Sequence, residues 1–425
     1  MLNYIFNPKT IAFIGASEEP KTVGSGIALN LLQSKKKIFF VNIKSKKIFK
    51  RKTYKSILDI KEKVDLAIIA VPCAVVNKVA TECALKKVKG VIVISAGFSE
   101  NNNKERENEL KEILKDIPLV GPNCLGILNT KNNLNASFAP FIPKKGNIAF
   151  LSQSGAIIDS VIDIARTENY GFSKIVSFGN EAGLDLSDYL DYLSKDKETK
   201  VIAIYIEGIK DGRKFLEVAS KVSKIKPIIV LKSGKTELGK SAALTHTGSL
   251  AGDSKIYSSV FKQAGVIEVD SIEELLLTAK TFSFNEPCLN GVGIVTNGGG
   301  FGVLAVDYFD ALKIKVPKLN EGKNPFDVLG DALADKYEIV MEAMLKQKDI
   351  HCLLVIQGLQ IMTEPEKTAK IIVKLQKKYG KPIIASFVGG ESFEKAVSIV
   401  EKNKIVNITE IKKAVKVIRY LTYEK

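Results

Sequence analysis

The sequence has no tryptophan, only two histidines and only five cysteines among its 425 residues. The cysteines are odd in number and never form a Cys-x-x-Cys pair, which argues against a disulfide framework and a structural zinc site, and no other metal site is predicted. The first residues lack the charged and apolar blocks of a signal peptide, and no apolar run reaches the roughly 18 residues of a membrane span. We therefore expect a cytoplasmic protein without a membrane partner.

Acidic residues are too few to balance the basic ones, since 47 Asp and Glu stand against 63 Lys and Arg, a formal net charge of +16. Ten basic residues fall between Lys35 and Lys55, so nucleic acid binding is one interpretation. No aromatic–basic motif of the known nucleic-acid modules accompanies them. We favour a solvated, lysine-rich surface and no nucleic acid partner; a polyanionic cofactor that uses one or two of these lysines is a third interpretation.

Short β-branched runs alternate with helical patterns from end to end, which is typical of α/β architecture with parallel sheets. One pattern recurs three times, at 11–17, 148–155 and 292–300: a buried-strand run leads directly into a turn of small residues and a helix. Each copy is predicted to open its own doubly wound sheet.

Two breaks separate these copies. The segment 129–145 is polar and carries two prolines, and Asn285-Glu286-Pro287 interrupts the chain again. We therefore predict three domains. Their limits are 1–125, 145–285 and 290–425.

The first predicted strand ends at Gly15, and Val23-Gly24-Ser25-Gly26 opens the following helix. Small residues there let backbone N–H groups approach a pyrophosphate at the helix N-terminus, although the motif is not a strict GxGxxG. The second strand ends near Lys44, where NAD enzymes usually place an acid that holds the ribose hydroxyls. A cation suits a phosphorylated ribose, as in CoA or NADP; a solvated lysine in an ordinary Rossmann-like turn is the alternative. Two later strand ends, Ala70-Val71-Pro72 and Ser95-Ala96-Gly97, point at the same crevice.

The two histidines differ in their surroundings. His351 lies at the mouth of a predicted buried strand and is interpreted as structural. His246 lies in a small, polar, Gly-containing segment, predicted to be a loop between a strand at 227–231 and a helix at 254–264. Neutral imidazole attacks phosphorus well when a carboxylate holds its other nitrogen, and Glu207, at the end of a buried strand, is such a carboxylate. From these residues alone, a catalytic histidine and an ordinary loop histidine both stay open.

A phosphate on that ring would need a receptor. Ser152-Gln153-Ser154-Gly155 opens a predicted helix, and a free helix N-terminus is a ready anion site. Simple N-capping is the alternative interpretation of these serines. Thr247 and Gly248 would add hydroxyl and amide donors from the histidine segment.

Several motifs together resemble one family. Gly121-Pro122-Asn123-Cys124-Leu125-Gly126 resembles the PNC-x-G motif of succinyl-CoA synthetases and ADP-forming acetyl-CoA synthetases. The segment around His246 resembles the family's phosphohistidine loop, Glu207 matches its orienting glutamate, and Ser154-Gly155 matches its phosphate-binding helix start. The segment 177–182 is similar to the ADP-forming acetate-type branch.

The third domain adds to this resemblance. Its segment 324–331 resembles the family's NP-x-D-x-x-GD motif, and 296–300 looks like an anion nest. The order of domains resembles an α subunit of ADP-forming acetyl-CoA synthetase. One departure is Ile43, where the family often has proline.

The resemblance implies a fold and a set of site residues. The fold is α/β, with three doubly wound domains: a Rossmann-like CoA-binding domain, then a flavodoxin-like phosphohistidine domain and a flavodoxin-like ligase domain. The implied catalytic residues are His246 and Glu207. The implied CoA contacts are Gly15, Ala16, Ser17, Lys44, Val71, Pro72, Ser95, Ala96, Gly97, Asn123 and Cys124. The implied phosphate contacts are Gln153, Ser154, Gly155, Thr247 and Gly248. For Cys124, a small buried residue in a tight turn is the preferred interpretation.

The resemblance also implies a reaction, in which acyl-CoA, phosphate and ADP give carboxylate, CoA and ATP through acyl phosphate and phosphohistidine. The three domains use all 425 residues, so the ATP-grasp domain that binds Mg-ADP or Mg-ATP is expected on a separate β subunit, in an α2β2 assembly. A succinyl-CoA synthetase-type ligase and a non-catalytic CoA-binding regulator are alternatives, and an NAD(P)-dependent oxidoreductase is disfavoured by Lys44. The sequence does not determine the acyl group or ADP against GDP.

Overall fold

The computed structural model describes residues 2–247, 253–319 and 322–423, and the side chains of 243–247 and 423 lie outside that description. The chain divides into two compact units, Met1–Leu275 and Leu276–Lys425. Among the helices so described, none has both the length and the apolar character needed to cross a membrane.

Within its described residues, the first unit contains two seven-stranded sheets. The first sheet has the order β3-β4-β2-β1-β5-β6-β7, with β3 and β4 antiparallel and the other neighbours parallel. Its strands are β1 (Thr10–Ile14), β2 (Lys37–Val41), β3 (Lys47–Ile48), β4 (Arg51–Tyr54), β5 (Leu66–Ile69), β6 (Gly90–Val93) and β7 (Leu119–Val120). Its helices are α1 (Asn3–Phe6), α2 (Val23–Leu32), α3 (Cys73–Leu85) and α4 (Lys104–Ile113).

The second sheet has the order β14-β13-β12-β10-β11-β8-β9. Its strands are β8 (Gly126–Asn129), β9 (Leu134–Ser137), β10 (Lys145–Ser152), β11 (Phe172–Ser177), β12 (Val201–Ile206), β13 (Ile228–Lys232) and β14 (Ile267–Val269). Its helices are α5 (Gly155–Thr167), α6 (Leu186–Ser194), α7 (Gly212–Val222), α8 (Glu237–Thr247) and α9 (Ser254–Gln263). The pairs β14–β13, β13–β12, β12–β10 and β10–β11 are parallel. Strands β8 and β9 form an antiparallel hairpin that extends the sheet beyond β11.

This hairpin corrects the expectation that 129–145 is a linker. Strand β9 lies inside that segment, with Leu134 and Ala136 fully buried. The polar residues Asn135 and Ser137 of the same strand are buried as well, and the Ser137 hydroxyl is hydrogen-bonded to the side chain of Asn135. Because the polar side chains satisfy one another inside the fold, polar composition here does not mean exposure to water.

The second unit is built on a parallel four-stranded sheet, β17-β16-β18-β19, with β15 and β20 paired apart from it, as far as its described residues show. Its strands are β15 (Cys288–Leu289), β16 (Val292–Thr296), β17 (Phe326–Asp327), β18 (Cys352–Gly358), β19 (Ile383–Val388) and β20 (Thr422–Tyr423). Its helices are α10 (Ile272–Phe284), which begins in the first unit, α11 (Gly299–Ala311), α12 (Ala334–Lys346), α13 (Pro365–Tyr379), α14 (Glu394–Lys402) and α15 (Ile411–Leu421).

Alternate residues of the central strands enter opposite cores of this unit. Val295 and Val355 pack with side chains of α12, α13 and α14, and Ile294 and Leu354 pack with side chains of α11 and α15. Successive side chains of a strand point to opposite faces, so a continuous apolar run indicates a sheet covered on both sides.

The three repeated patterns of the sequence are β1, β10 and β16. Each is flanked by a parallel strand on both sides. The predicted α/β fold class of doubly wound sheets is therefore confirmed, while the limits of three domains stay a prediction. In such sheets ligands bind outside the carboxyl ends of the strands, where the strand order reverses.

Candidate functional site

A cavity of about 450 Å³ lies in the first unit, at the carboxyl edge of the first sheet. It is lined by the residues that follow β5, by the residues that follow β6, by the turn after β7 and by the first residue of α5. Among the predicted site residues, those on its wall are Val71, Pro72, Ser95, Ala96, Asn123, Cys124 and Gly155. The structure thus brings predicted CoA contacts and the start of the predicted phosphate-binding helix to one cavity.

Gly15, which follows β1, supports one side of this edge. It has a φ of +100°, and a Cβ atom on it would lie 2.0 Å from the carbonyl oxygen of Ala70. A Cβ atom on Gly24, in the first turn of α2, would lie 2.4 Å from the carbonyl oxygen of Gly15. The two glycines let the N-terminus of α2 approach the turn after β1, as close binding of a phosphate by backbone amides requires.

Lys44 lies in a turn held by Asn42. The Asn42 side chain donates to the carbonyl oxygen of Ala16 at 2.8 Å and accepts the backbone N–H groups of Lys44 at 2.7 Å and Ser45 at 2.9 Å. This fixes the turn beside the predicted contacts after β1, with the Lys44 side chain exposed. Sequence reasoning assigned no role to Asn42, although an asparagine that caps its own turn is a recognisable local signal.

Ser95 joins two of the strand ends. Its hydroxyl donates to the carbonyl oxygen of Val71 at 2.6 Å and accepts the Val71 N–H at 3.2 Å. The backbone N–H of Asn123 donates to the Ser95 carbonyl oxygen at 2.9 Å. This backbone hydrogen bond holds the turn at 121–126 against the edge of the first sheet.

Cys124 is buried at the end of the cavity. Its thiol donates to the carbonyl oxygen of Val93 at 3.3 Å, and burial raises the pKa of the thiol to about 12. At neutral pH this sulfur carries a proton and is a poor nucleophile. The geometry suits the structural role preferred from the sequence.

Glu207 follows β12 and is buried, and Gln153 fixes its backbone. The Gln153 side-chain oxygen accepts the N–H groups of Glu207 and of Gly208, the latter at 3.2 Å. Its amide nitrogen donates to the Gly208 carbonyl oxygen at 3.2 Å and to a carboxylate oxygen of Glu181 at 3.3 Å. These four bonds use the full capacity of the Gln153 amide. The phosphate contact predicted for Gln153 stays a prediction.

Two charged residues near Glu207 were not predicted as site residues from the sequence. Glu181 is only 6% exposed, and burial raises its pKa to about 7. Lys232 is paired in register with Ile206, next to Glu207; burial lowers its pKa, and the Glu207 charge opposes that shift. A charged residue at a strand end is a weak signal in a chain this rich in lysine and glutamate.

Helix α5 begins at Gly155, on the wall of the cavity. Its N-cap is Ser154, whose side chain makes no capping hydrogen bond to the described residues. The Ser152 hydroxyl instead accepts the Ser154 N–H at 3.0 Å. The first turn carries no acidic side chain, so its N–H groups and dipole favour an anion.

The backbone at His246 corrects one expectation. It lies in the last turn of α8 and not in a loop, because the run from Glu237 to Leu244 is rich in strong helix formers such as Ala, Leu, Lys and Glu. Helix α8 contacts the short 3₁₀ helix Ser99–Asn101, just after the predicted CoA contacts at the end of β6. The side chains of His246 and Thr247, and all of Gly248, lie outside the described residues.

Two families match the chain. Residues 9–130 match the CoA binding domain family, and residues 145–282 match the succinyl-CoA ligase like flavodoxin domain family.

Known proteins resemble the whole chain. The α subunit of acetate–CoA ligase (ADP-forming) II from Pyrococcus furiosus is 43% identical over 95% of this chain and 94% of its own length. The acetate–CoA ligase (ADP-forming) of Methanocaldococcus jannaschii is 46% identical over 99% of this chain, which spans only 63% of that protein. The solved structure of the dinucleotide-forming acetyl-coenzyme A synthetase 1 of Ca. Korarchaeum cryptofilum, in complex with phosphate and ADP, has a TM-score of 0.94 and 38% identity, and the match covers 99% of this chain and 96% of that one.

Proposed function

The chain belongs to the family of ADP-forming acetate–CoA ligases, and from that membership we propose that it is the CoA-binding, phosphohistidine-bearing α part of such an enzyme. The proposed reaction converts acyl-CoA, ADP and phosphate into carboxylate, ATP and CoA, and it is reversible. The observation that carries the proposal is the cavity in which strand ends of the first sheet meet the start of α5.

The first step takes place where thioester and phosphate meet. A phosphate oxygen attacks the thioester carbonyl carbon, the C–S bond breaks, and CoA leaves as a thiolate that takes up a proton. The backbone around Gly15 and the Lys44 ammonium group would hold the CoA phosphates, and the N–H groups that begin α5 would hold the reacting phosphate. Acyl phosphate is the product of this step.

The second step transfers the phosphoryl group to His246. A ring nitrogen attacks phosphorus, the bond from phosphorus to the acyl oxygen breaks, and the carboxylate leaves. Glu207 would orient the ring and stabilise its positive charge, and the burial of Glu207 strengthens that interaction. The phosphoryl group then passes to ADP.

We propose that an ATP-grasp β part holds Mg-ADP and that the assembly is α2β2. Similar proteins carry the name α subunit, and the M. jannaschii protein extends well beyond the region that this chain matches. CoA thioesters and nucleotides are cytoplasmic metabolites, and the cytoplasm is the proposed location. A panel of acyl-CoA substrates, with acetyl-CoA first, would identify the acyl group.

The test is phosphorylation of the purified protein with its β part. Acetyl-CoA and labelled phosphate should give at most one acid-labile, base-stable phosphate on this chain, because phosphohistidine differs in that way from a serine ester. His246→Asn should abolish both the label and ATP synthesis, yet leave CoA binding intact. A label that survives in His246→Asn, or a chain that binds CoA but never takes up phosphate, would contradict the proposal; the second result would favour a CoA-binding regulator.

A further inference from the structure

We propose that Glu181 is a positioning residue that sets the orientation of the Gln153 amide and thereby fixes Glu207; the reaction it serves rests on the proposed function. None of the roles expected from the sequence involves Glu181. It follows β11, whereas Gln153 follows β10 and Glu207 follows β12. The three residues therefore lie side by side at the carboxyl edge of the second sheet, where its strand order reverses.

The carboxylate of Glu181 accepts two hydrogen bonds from different elements. One oxygen accepts the backbone N–H of Leu186, the first residue of α6, at 2.9 Å. The other accepts the Gln153 amide nitrogen at 3.3 Å. Because Glu181 is 6% exposed, water offers these donors little competition.

The orientation of Gln153 follows from these bonds. An ionised carboxylate accepts only, so it selects the NH₂ end of the amide and turns the carbonyl end toward the N–H groups of Glu207 and Gly208. A proton on the facing oxygen of Glu181 would favour the reverse orientation. The NH₂ end would then meet two further donors, and the hold on Glu207 would be lost.

Charged groups from three elements surround this carboxylate. Lys210, in the turn after β12, donates to the Glu181 carbonyl oxygen at 3.1 Å and favours the ionised form, whereas Asp185, the N-cap of α6, opposes it. Glu107 of α4 lies 4.0 Å from the Lys210 ammonium group, and Tyr189 of α6 is buried nearby. Burial opposes ionisation most strongly and raises the pKa of Glu181 to about 7.

The ionisation of Glu181 should make phosphoenzyme formation depend on pH. Above that pKa the carboxylate holds Gln153 in the orientation that fixes Glu207, and below it this hold is lost. Phosphoenzyme formation in the complete enzyme should therefore rise as the pH increases through about 7.

The decisive variant is Glu181→Gln. An amide has one accepting end, so either the Leu186 N–H or the Gln153 NH₂ group loses its acceptor. We expect the acid limb of the pH–rate profile to disappear and the rate at pH 8 to fall roughly 10- to 100-fold, the loss typical when a residue that orients a metal ligand by a hydrogen bond is replaced. CoA affinity should not change, because the CoA contacts lie on the first sheet.

Amide hydrogen exchange tests the same role without relying on the catalysed reaction. The Glu207 and Gly208 amides should exchange faster in Glu181→Gln and in Gln153→Met, a variant of similar shape that cannot accept their N–H groups. The double variant Glu181→Gln, Gln153→Met should form the phosphoenzyme no more slowly than Gln153→Met alone, because both substitutions break the same hydrogen-bonded link to Glu207. Glu198→Gln is the control: Glu198 is an acid of the same unit that pairs with Lys131, and no bond to Gln153, Glu181 or Lys210 is among its described contacts.

These experiments distinguish failure of the role proposed for Glu181 from failure of the proposed function. If Glu181→Gln keeps the wild-type amide protection and pH profile, or if Glu198→Gln changes them equally, Glu181 does not position Gln153. If the wild-type enzyme takes up no acid-labile phosphate, the proposed function fails, and the exchange experiment still decides the role of Glu181. CoA binding by each variant shows that it is folded.

Discussion

The Lys44 side chain is presented by a turn that Asn42 ties to Ala16. We expect Lys44→Glu to weaken the binding of CoA by about tenfold or more, because a charge-assisted bond contributes about 1.5–3 kcal/mol. Dephospho-CoA should be affected less, since it lacks the 3′-phosphate. Titration calorimetry with both ligands measures the difference, and Lys46→Glu, at a neighbouring exposed lysine, is the control for net charge. Equal losses for both ligands would remove Lys44 from this role.

Glu207 lends itself to an equally direct test. Glu207→Gln removes the charge that would stabilise the imidazolium, so phosphoenzyme formation should slow by about two orders of magnitude or more, with CoA affinity unchanged. Rapid-quench labelling measures the rate. Glu198→Gln, at a carboxylate paired with Lys131 on the same unit, should label at the wild-type rate. Normal labelling in Glu207→Gln would make this buried acid structural.

Some residues of the candidate site could be predicted from the sequence, and others could not. Glu207 attracts attention because an acid is unusual at the end of a buried strand. The linking role of Gln153 and the part of Glu181 depend on contacts between residues 28 and 54 positions apart, which no local pattern encodes. Chemical type is readable from the chain, whereas hydrogen-bond partners are readable only from the fold.

At the scale of elements, the turn between β1 and α2 is sterically tight. Gly15→Ala would place a methyl group 2.0 Å from a backbone oxygen, at a φ of +100° that alanine avoids. We expect it to lower the free energy of unfolding by at least about 2 kcal/mol and to weaken CoA binding. Urea denaturation and CoA titration would measure both effects. Gly212→Ala is the control, because nothing lies within 4 Å of a Cβ atom there; a similar loss in both variants would refute the steric argument.

Elements were predictable where burial and periodicity agree. Strands β1, β10 and β16 combine buried, apolar runs with small-residue turns, and each lies inside a separate sheet as predicted. Strand β10 does not open its sheet, however, because β8 and β9 precede it in the chain. Strand β9 was missed because its polar side chains bond to one another in the interior. Helix α8 was missed because small residues near His246 resemble a loop, although its first two turns favour a helix.

The whole molecule carries a formal net charge of +16, and the proposed ligand, CoA, is strongly anionic. Raising the salt concentration from ~0.05 M to ~0.5 M shortens the Debye length and should weaken CoA binding severalfold. Pantetheine, which lacks the phosphates, should bind with little change. Equilibrium titration at several salt concentrations tests this, and an identical salt dependence for both ligands would contradict a long-range electrostatic contribution.

The β8–β9 hairpin ties the two sheets of the first unit together. Its strands close the edge of the second sheet, yet the Asn30 side chain of α2 donates to the carbonyl oxygens of Ser137 and Ala139 at 2.9 and 2.8 Å. A fragment cut at residue 130, where the match to the CoA binding domain family ends, would retain β8, lose β9 and leave an open strand edge that invites aggregation. Transfer of the proposed CoA site onto another enzyme would therefore require both sheets to be moved as one piece.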